Sequence, residues 1–262
     1  MTQIFVPKEI RELEKRVAAT PETVKKLVKM GYSVSVESGA GQLSCISDKE
    51  YQDAGAQVDS DLKKLYAGAD IVLKVQPPTS TGDGHEADHL KEGCILVTHL
   101  VPQNEVETLK HLVKRKISCF SMNLIPRITI AQKMDSLSSQ ASIAGYKAVL
   151  MGANTLPKYF PLLMTAAGTI TPARVVILGA GVAGLQAIAT ARRLGANVEV
   201  SDVRMAVKEQ VESLGAKFIM VATDENMEDA GGYAKEQSED FLKRQREEVG
   251  KRIANSDVTI TT

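Results

Sequence analysis

The sequence contains no tryptophan, and aromatic residues make up only 4% of its 262 positions, so no tryptophan emission competes with that of a bound fluorophore. It also lacks net charge. The 32 Lys and Arg residues balance 32 Asp and Glu, which removes a global field toward nucleic acid or an anionic membrane surface. Cysteine is scarce: Cys45, Cys94 and Cys119 are odd in number, widely spaced and without metal-ligand spacing. That pattern argues against a disulfide framework and suits a reducing, cytosol-like compartment. No apolar run approaches the ~20 residues needed to span a bilayer. The most apolar region, residues 159–191, is broken by Pro161, Pro172 and Arg174. The opening Met1-Thr-Gln-Ile-Phe-Val-Pro-Lys-Glu9 carries no apolar signal-peptide core.

What is present is a regular alternation. Candidate strands fall at Gln3–Val6, Ser33–Glu37, Ile71–Val75, Cys94–His99 and Ile117–Met122. Between them lie helical patterns at Pro21–Met30, Lys49–Ala54, Asp61–Tyr66 and Asn104–Lys114. Pro21 suits a first helical turn, and Gly31 suits the stop behind Met30. Repeated strand–helix alternation predicts a parallel sheet with helices on both faces, so residues 1–135 read as one doubly wound α/β domain. Residues 136–164 read as a connecting helix rich in Ser, Ala and Gly, interrupted near Pro157. A second domain over 165–262 continues through a helix at Lys208–Leu214, a strand at Lys217–Val221, a charged helix at Ser238–Ala254 and a strand at Asp257–Thr262. Four strands of a unit usually built from six are present, and the expectation is a truncated second domain.

That second domain holds the strongest local signal. Arg174-Val-Val-Ile-Leu-Gly-Ala-Gly-Val-Ala-Gly184 sets Gly179, Gly181 and Gly184 in a G-x-G-x-x-G after a β-branched run, and the helical pattern Leu185–Leu194 follows. Gly179 permits the tight turn, Gly181 lets a pyrophosphate approach the backbone, and Gly184 lets helix and strand pack closely. The helix N-terminus, opening at Val182, offers N–H groups and a positive dipole end to phosphate. Asn197-Val-Glu-Val-Ser-Asp202 then reads as a second strand ending on an acid, placed to accept from ribose hydroxyls. Asp202 favours NAD over NADP, with Val203 and Arg204 beside it; an arginine at that place is able to take a 2′-phosphate, or to remain a solvated loop residue.

Pro126-Arg-Ile-Thr-Ile-Ala-Gln-Lys-Met-Asp-Ser-Leu-Ser-Ser-Gln-Ala-Ser-Ile-Ala-Gly-Tyr146 closely resembles the most distinctive stretch of proton-translocating NAD(P) transhydrogenases. The likeness runs through Val6-Pro-Lys-Glu, Arg16-Val-Ala, Val36-Glu-Ser-Gly-Ala-Gly41, Lys74-Val-Gln-Pro, Thr165-Ala-Ala-Gly and Gly231-Gly-Tyr-Ala-Lys235. It implies two Rossmann-like domains and the extrinsic NAD(H)-binding component, the α subunit or domain I. On this resemblance Arg127, Gln132 and Asp135 surround the nicotinamide, with Ser138 on the following helix and Ile128 and Thr129 as further nucleotide contacts. Ile130 departs from the family pattern, which usually has Arg there. The Tyr of Gly231-Gly232-Tyr233 is implied to close over bound nucleotide. The implied partners are an NADP(H)-binding component and membrane-spanning proton-channel subunits. Also implied are a homodimer and a cytoplasmic location at the inner membrane. Read without the family, Gln132 supplies a donor and an acceptor suited to a carboxamide, whereas Asp135 also suits a plain helix cap.

Two other readings remain. Arg16, Lys74 and His99 fall where the related alanine dehydrogenases bind a substrate carboxylate, engage its carbonyl and exchange protons, so a self-contained dehydrogenase is the rival, and a non-catalytic NAD-binding module is a third. His85-Glu-Ala-Asp-His89 matches the zinc motif H-E-x-x-H, but it follows Pro77-Pro78 and leaves little helix before Gly93. The expectation is no metal, because both histidines need one stable helix face.

Overall fold

Successive side chains of a strand leave opposite faces of its sheet, and the first strand, β1 (Gln3–Val6), shows the result. Ile4 and Val6 enter one apolar cluster, and Phe5 enters another. The computed structural model describes residues 1–82, 84–220 and 239–262, the side chains of 239–242 excepted. It divides into two compact units, Met1–Ser136 and Leu137–Thr262.

In the first unit β1 is followed by α1 (Pro21–Lys29), β2 (Ser33–Glu37), α2 (Asp48–Asp53), β3 (Gln57–Asp59), α3 (Leu62–Gly68), β4 (Ile71–Leu73), β5 (Ile95–Thr98), α4 (Val106–Lys114) and β6 (Ser118–Ser121). All six strands are parallel, in the order β3-β2-β1-β4-β5-β6. One face packs Ile4, Val6, Val34 and Val36 against Val24 of α1 and Tyr51 of α2. The other packs Phe5, Val72 and Leu96 against Leu65 and Tyr66 of α3 and Leu112 of α4. The sheet is therefore doubly wound, and its chain order reverses between β1 and β4. Local signals set the helix ends: Thr20 caps α1 through Thr23 N–H, Pro21 opens it, and Gly31 follows at φ +91°.

The second unit holds α5 (Ser136–Thr155, whose first residue falls to the first unit), a hairpin of β7 (Leu163–Thr165) and β8 (Gly168–Ile170), β9 (Arg174–Leu178), α6 (Val182–Arg193), β10 (Asn197–Ser201), α7 (Lys208–Ser213), β11 (Lys217–Phe218), α8 (Glu239–Ala254) and β12 (Val258–Thr261). Its parallel sheet runs β11-β10-β9-β12. Val175, Ile177, Val198 and Val200 pack one face against Ala187 and Ile188 of α6, Val211 of α7 and Val149 of α5.

The helix behind Ser136 stops at Thr155, two residues before Pro157, and the hairpin takes up part of the stretch expected to be helical. Strand β3 was not expected: it is three residues long at a sheet edge, too short for an alternating pattern to register. Among the described residues no helix is long and apolar enough to cross a membrane.

Candidate functional site

Three glycines shape the turn between β9 and α6, each for a different physical reason. Gly179 lies at φ +100°, where a side chain is strained, and a Cβ there would also press on the Oγ1 of Thr262. A Cβ at Gly184 would overlap the carbonyl oxygen of Gly179. Gly181 differs from both. It has φ −75°, open to any residue, and a Cβ placed there meets nothing within 4 Å among the described residues. Their packing does not require glycine at 181. Gly181 is also the N-cap of α6 and supplies no side-chain cap, so the first N–H groups of this 12-residue helix have no capping partner from that side chain.

Asp202 reaches back to this turn from the end of β10. Its Oδ2 accepts from Ala180 N–H at 2.7 Å and from Arg204 Nη2 at 3.0 Å. Its Oδ1 accepts from the backbone N–H of Arg204 at 2.8 Å and from Nε at 3.0 Å. Burial opposes its charge, but the donors of Arg204 and Ala180 outweigh that and hold its pKa below the usual carboxylate value. The structure thus brings Gly179, Gly181, Val182, Gly184, Asp202, Val203 and Arg204 together at the carboxyl end of one parallel sheet, where ligands of such sheets bind.

Arg127 to Asp135 form a separate feature in the first unit. Thr129–Met134 is a 3-10 turn, entered through extended Ile128, and Ala131 is buried beneath it. The backbone holds its shape through Ala131 N–H to Ile128 O at 2.9 Å and Asp135 N–H to Gln132 O at 3.3 Å. Arg127, Ile128, Thr129 and Gln132 are exposed, while Asp135 and Ser138 are half-buried. Helix α5 opens directly behind Asp135, and the Oγ of Ser136 is buried with no hydrogen-bond partner among the described residues. Gly231, Gly232 and Tyr233 lie outside the described residues.

Arg16, Lys74 and His99 also come together, at the carboxyl ends of β1, β4 and β5. Both cations are already held. Arg16 donates to Glu14 through Nε at 2.9 Å and Nη2 at 2.7 Å. Lys74 is 2% exposed in its side chain and lies 2.8 Å from Glu86 and 3.7 Å from Glu9. Burial pushes the Glu9 carboxyl above its usual range against the pull of Lys74. Burial, then Arg16, lowers the His99 pKa. His85 and His89 flank a single 3-10 turn, Glu86–His89, and Glu86 faces Lys74 rather than a metal. Among the described residues no group of three or more His, Cys, Asp or Glu is placed to hold a metal ion.

Sequence reading missed Gly145 and the carboxylates around Lys74. A Cβ at Gly145 would overlap the Ala183 carbonyl oxygen, so this glycine lets α5 approach the start of α6. Its signal was a lone glycine inside a Ser- and Ala-rich helix.

Two parallel sheets, one of six strands in the order 3-2-1-4-5-6 and one of four in the order 3-2-1-4, define a protein of two Rossmann-like α/β units. The chain belongs to the alanine dehydrogenase/PNT family, whose N-terminal domain matches residues 5–144 and C-terminal domain residues 148–262. It is 52% identical over 264 residues to the first portion of the divided NAD(P) transhydrogenase subunit alpha of Rhodospirillum rubrum, covering 99% of this chain and 68% of that protein. It superposes on the crystal structure of transhydrogenase from Sinorhizobium meliloti with a TM-score of 0.87 at 43% identity, covering 99% of this chain and 69% of that one. An L-alanine dehydrogenase structure matches with a TM-score of 0.73 at 29% identity over 83% of this chain and 60% of its own. The transhydrogenase resemblance carried by Pro126–Tyr146 holds.

Proposed function

We propose that this chain is the NAD(H)-binding component of a proton-translocating NAD(P) transhydrogenase. The observation that carries the reading is Gly181. Glycine stands where the described atoms leave a Cβ unopposed, at the N-terminus of α6 without a side-chain cap, while Gly179 and Gly184 on either side are required by packing. A bound pyrophosphate explains all three, because its oxygens need the backbone at 181 bare and the helix N–H groups free.

On this reading Gly179, Gly181, Val182 and Gly184 hold the pyrophosphate of NAD(H), and Asp202, Val203 and Arg204 hold the adenosine ribose edge. Arg127, Ile128, Thr129, Gln132, Asp135 and Ser138 attend the nicotinamide end, with Gly232 and Tyr233 over the nucleotide. The bound nicotinamide supplies the hydride chemistry. The chain's role is to bind and orient it: Gln132 offers both a donor and an acceptor at an exposed turn whose shape the backbone fixes. The names of the similar proteins, an NAD(P) transhydrogenase subunit alpha and a numbered portion of one, support an assembly of several subunits. NADP(H) and the proton path are assigned to partner components, the latter spanning the membrane to which this chain attaches from the cytoplasmic side. The β7–β8 hairpin, with Met164 71% exposed, supports a homodimer.

The alanine dehydrogenase reading gains from the meeting of Arg16, Lys74 and His99 but loses on their partners. A substrate carboxylate would have to displace Glu14 from Arg16 and enter the buried pairing of Lys74. Titration with NADH, read by nicotinamide fluorescence, tests the proposal. The unsubstituted chain binds. Gly181→Ala keeps its melting temperature and loses at least about tenfold in affinity, or ~1.4 kcal/mol. Equal affinity in the two proteins would show that the glycine turn does not hold the nucleotide.

A further inference from the structure

A carboxylate offers about four lone-pair positions to donors. Asp202 has all four engaged: by Ala180 N–H, by the backbone N–H of Arg204, and by Nε and Nη2 of the same arginine. A ribose diol brings two more donors, and Asp202 in this conformation has no open position for either.

The four donors are not equally replaceable. Ala180 N–H belongs to the turn between Gly179 and Gly181, and that turn is fixed by the carbonyl contact at Gly184. The backbone N–H of Arg204 is set by the chain leaving β10. The two guanidinium donors sit at the end of a long side chain that is 28% exposed, against 6% for Asp202. They are the pair that can leave, and they match the diol in number.

We infer that Arg204 is a specificity gate: its guanidinium fills the two Asp202 acceptor positions that the ribose hydroxyls of NAD(H) require, and it moves off them when the nucleotide binds. The inference rests on the NAD(H) reading of this site. Two consequences follow. Only the conformation with Arg204 displaced is competent for NADH, so the observed affinity is the intrinsic one reduced by that population. An Asp202 charge balanced by Arg204 also repels a 2′-phosphate less than a bare carboxylate would, so the arginine narrows the gap between NADH and NADPH.

NADH and NADPH titrations of the unsubstituted chain and of Arg204→Ala separate this from the plain alternative that Arg204 is itself a nucleotide contact. The gate predicts that Arg204→Ala binds NADH about threefold to tenfold more tightly and NADPH more weakly than the unsubstituted chain. Unchanged or weaker NADH binding by Arg204→Ala overturns the gate. No NADH binding by the unsubstituted chain overturns the functional reading itself. A structure of the unsubstituted chain with NADH decides the matter independently of how Arg204→Ala folds. The guanidinium is displaced from Asp202 if the gate is right; both side-chain bonds retained beside bound ribose would overturn it.

Discussion

The ammonium of Lys74 lies 2.8 Å from a carboxylate oxygen of Glu86, with side-chain exposures of 2% and 9%. Glu86 also accepts from Thr79 N–H at 2.9 Å, so one carboxylate ties the end of β4 to the segment that leads into the Glu86–His89 turn. Removing one member of such a buried pair leaves the other charge without its partner. Lys74→Met and Glu86→Gln should each cost about 3–5 kcal/mol in urea unfolding. Breaking the exposed Lys91–Asp70 pair with Lys91→Ala should cost under about 1 kcal/mol. Equal costs would mean that Lys74 is not structurally committed and is available to a substrate.

Two glycines should fail through packing alone. A Cβ at Gly184 overlaps the Gly179 carbonyl, and one at Gly145 overlaps the Ala183 carbonyl, backbone atoms that cannot turn aside. Gly184→Ala and Gly145→Ala are each expected to lose about 3 kcal/mol or more of stability without any ligand present. A substituted protein that unfolds at the same urea concentration as the parent would show that these segments sit further apart.

The alternation of strand and helix, and the glycine spacing at 179–184, were legible because each is written over neighbouring residues. Ile4, Phe5 and Val6 already declare a strand buried on both faces. What was not legible depends on residues far apart in the chain. Glu9 and Glu86 reach Lys74 from separate segments, and nothing at Lys74 itself marks it as neutralised. Gly145 looks like any weak helix position until Ala183 is placed against it. The loop at Arg127–Asp135 was legible only through its family resemblance, since its exposed side chains follow no periodic pattern.

His85 stacks on His111 with ring centroids 4.2 Å apart and planes within 6°, and its Nδ1 accepts from Ala87 N–H. Burial first, and then the neighbouring His111, lowers the His85 pKa below 6.5, with Asp88, Glu86 and Glu105 pulling the other way. The unfolded chain therefore takes up this proton first. The stability contributed by neutral His85 is complete above the ordinary histidine value and is lost as pH falls through the lower folded-state value. NMR titration should place His85 below 6.5, and His111→Ala should raise it. A His85 pKa unmoved by that substitution would contradict the pairing.

Gln132 is exposed on the Thr129–Met134 turn, and the backbone rather than its side chain holds that turn. Gln132→Asn should leave stability within about 0.5 kcal/mol and leave NADH affinity nearly unchanged. With a partner component present, it should slow hydride transfer roughly tenfold or more through misplacement. A matching loss of NADH binding would assign Gln132 to holding the nucleotide rather than aligning it.

The central claim is tested most directly by mixing this chain, within the full-length subunit, with an NADP(H)-binding transhydrogenase component and following hydride transfer from NADPH to an NAD analogue. The account predicts transfer in the mixture, almost none from either component alone, and no NADH formed from L-alanine and NAD⁺. An inactive mixture, together with NADH production from L-alanine by this protein alone, would contradict it.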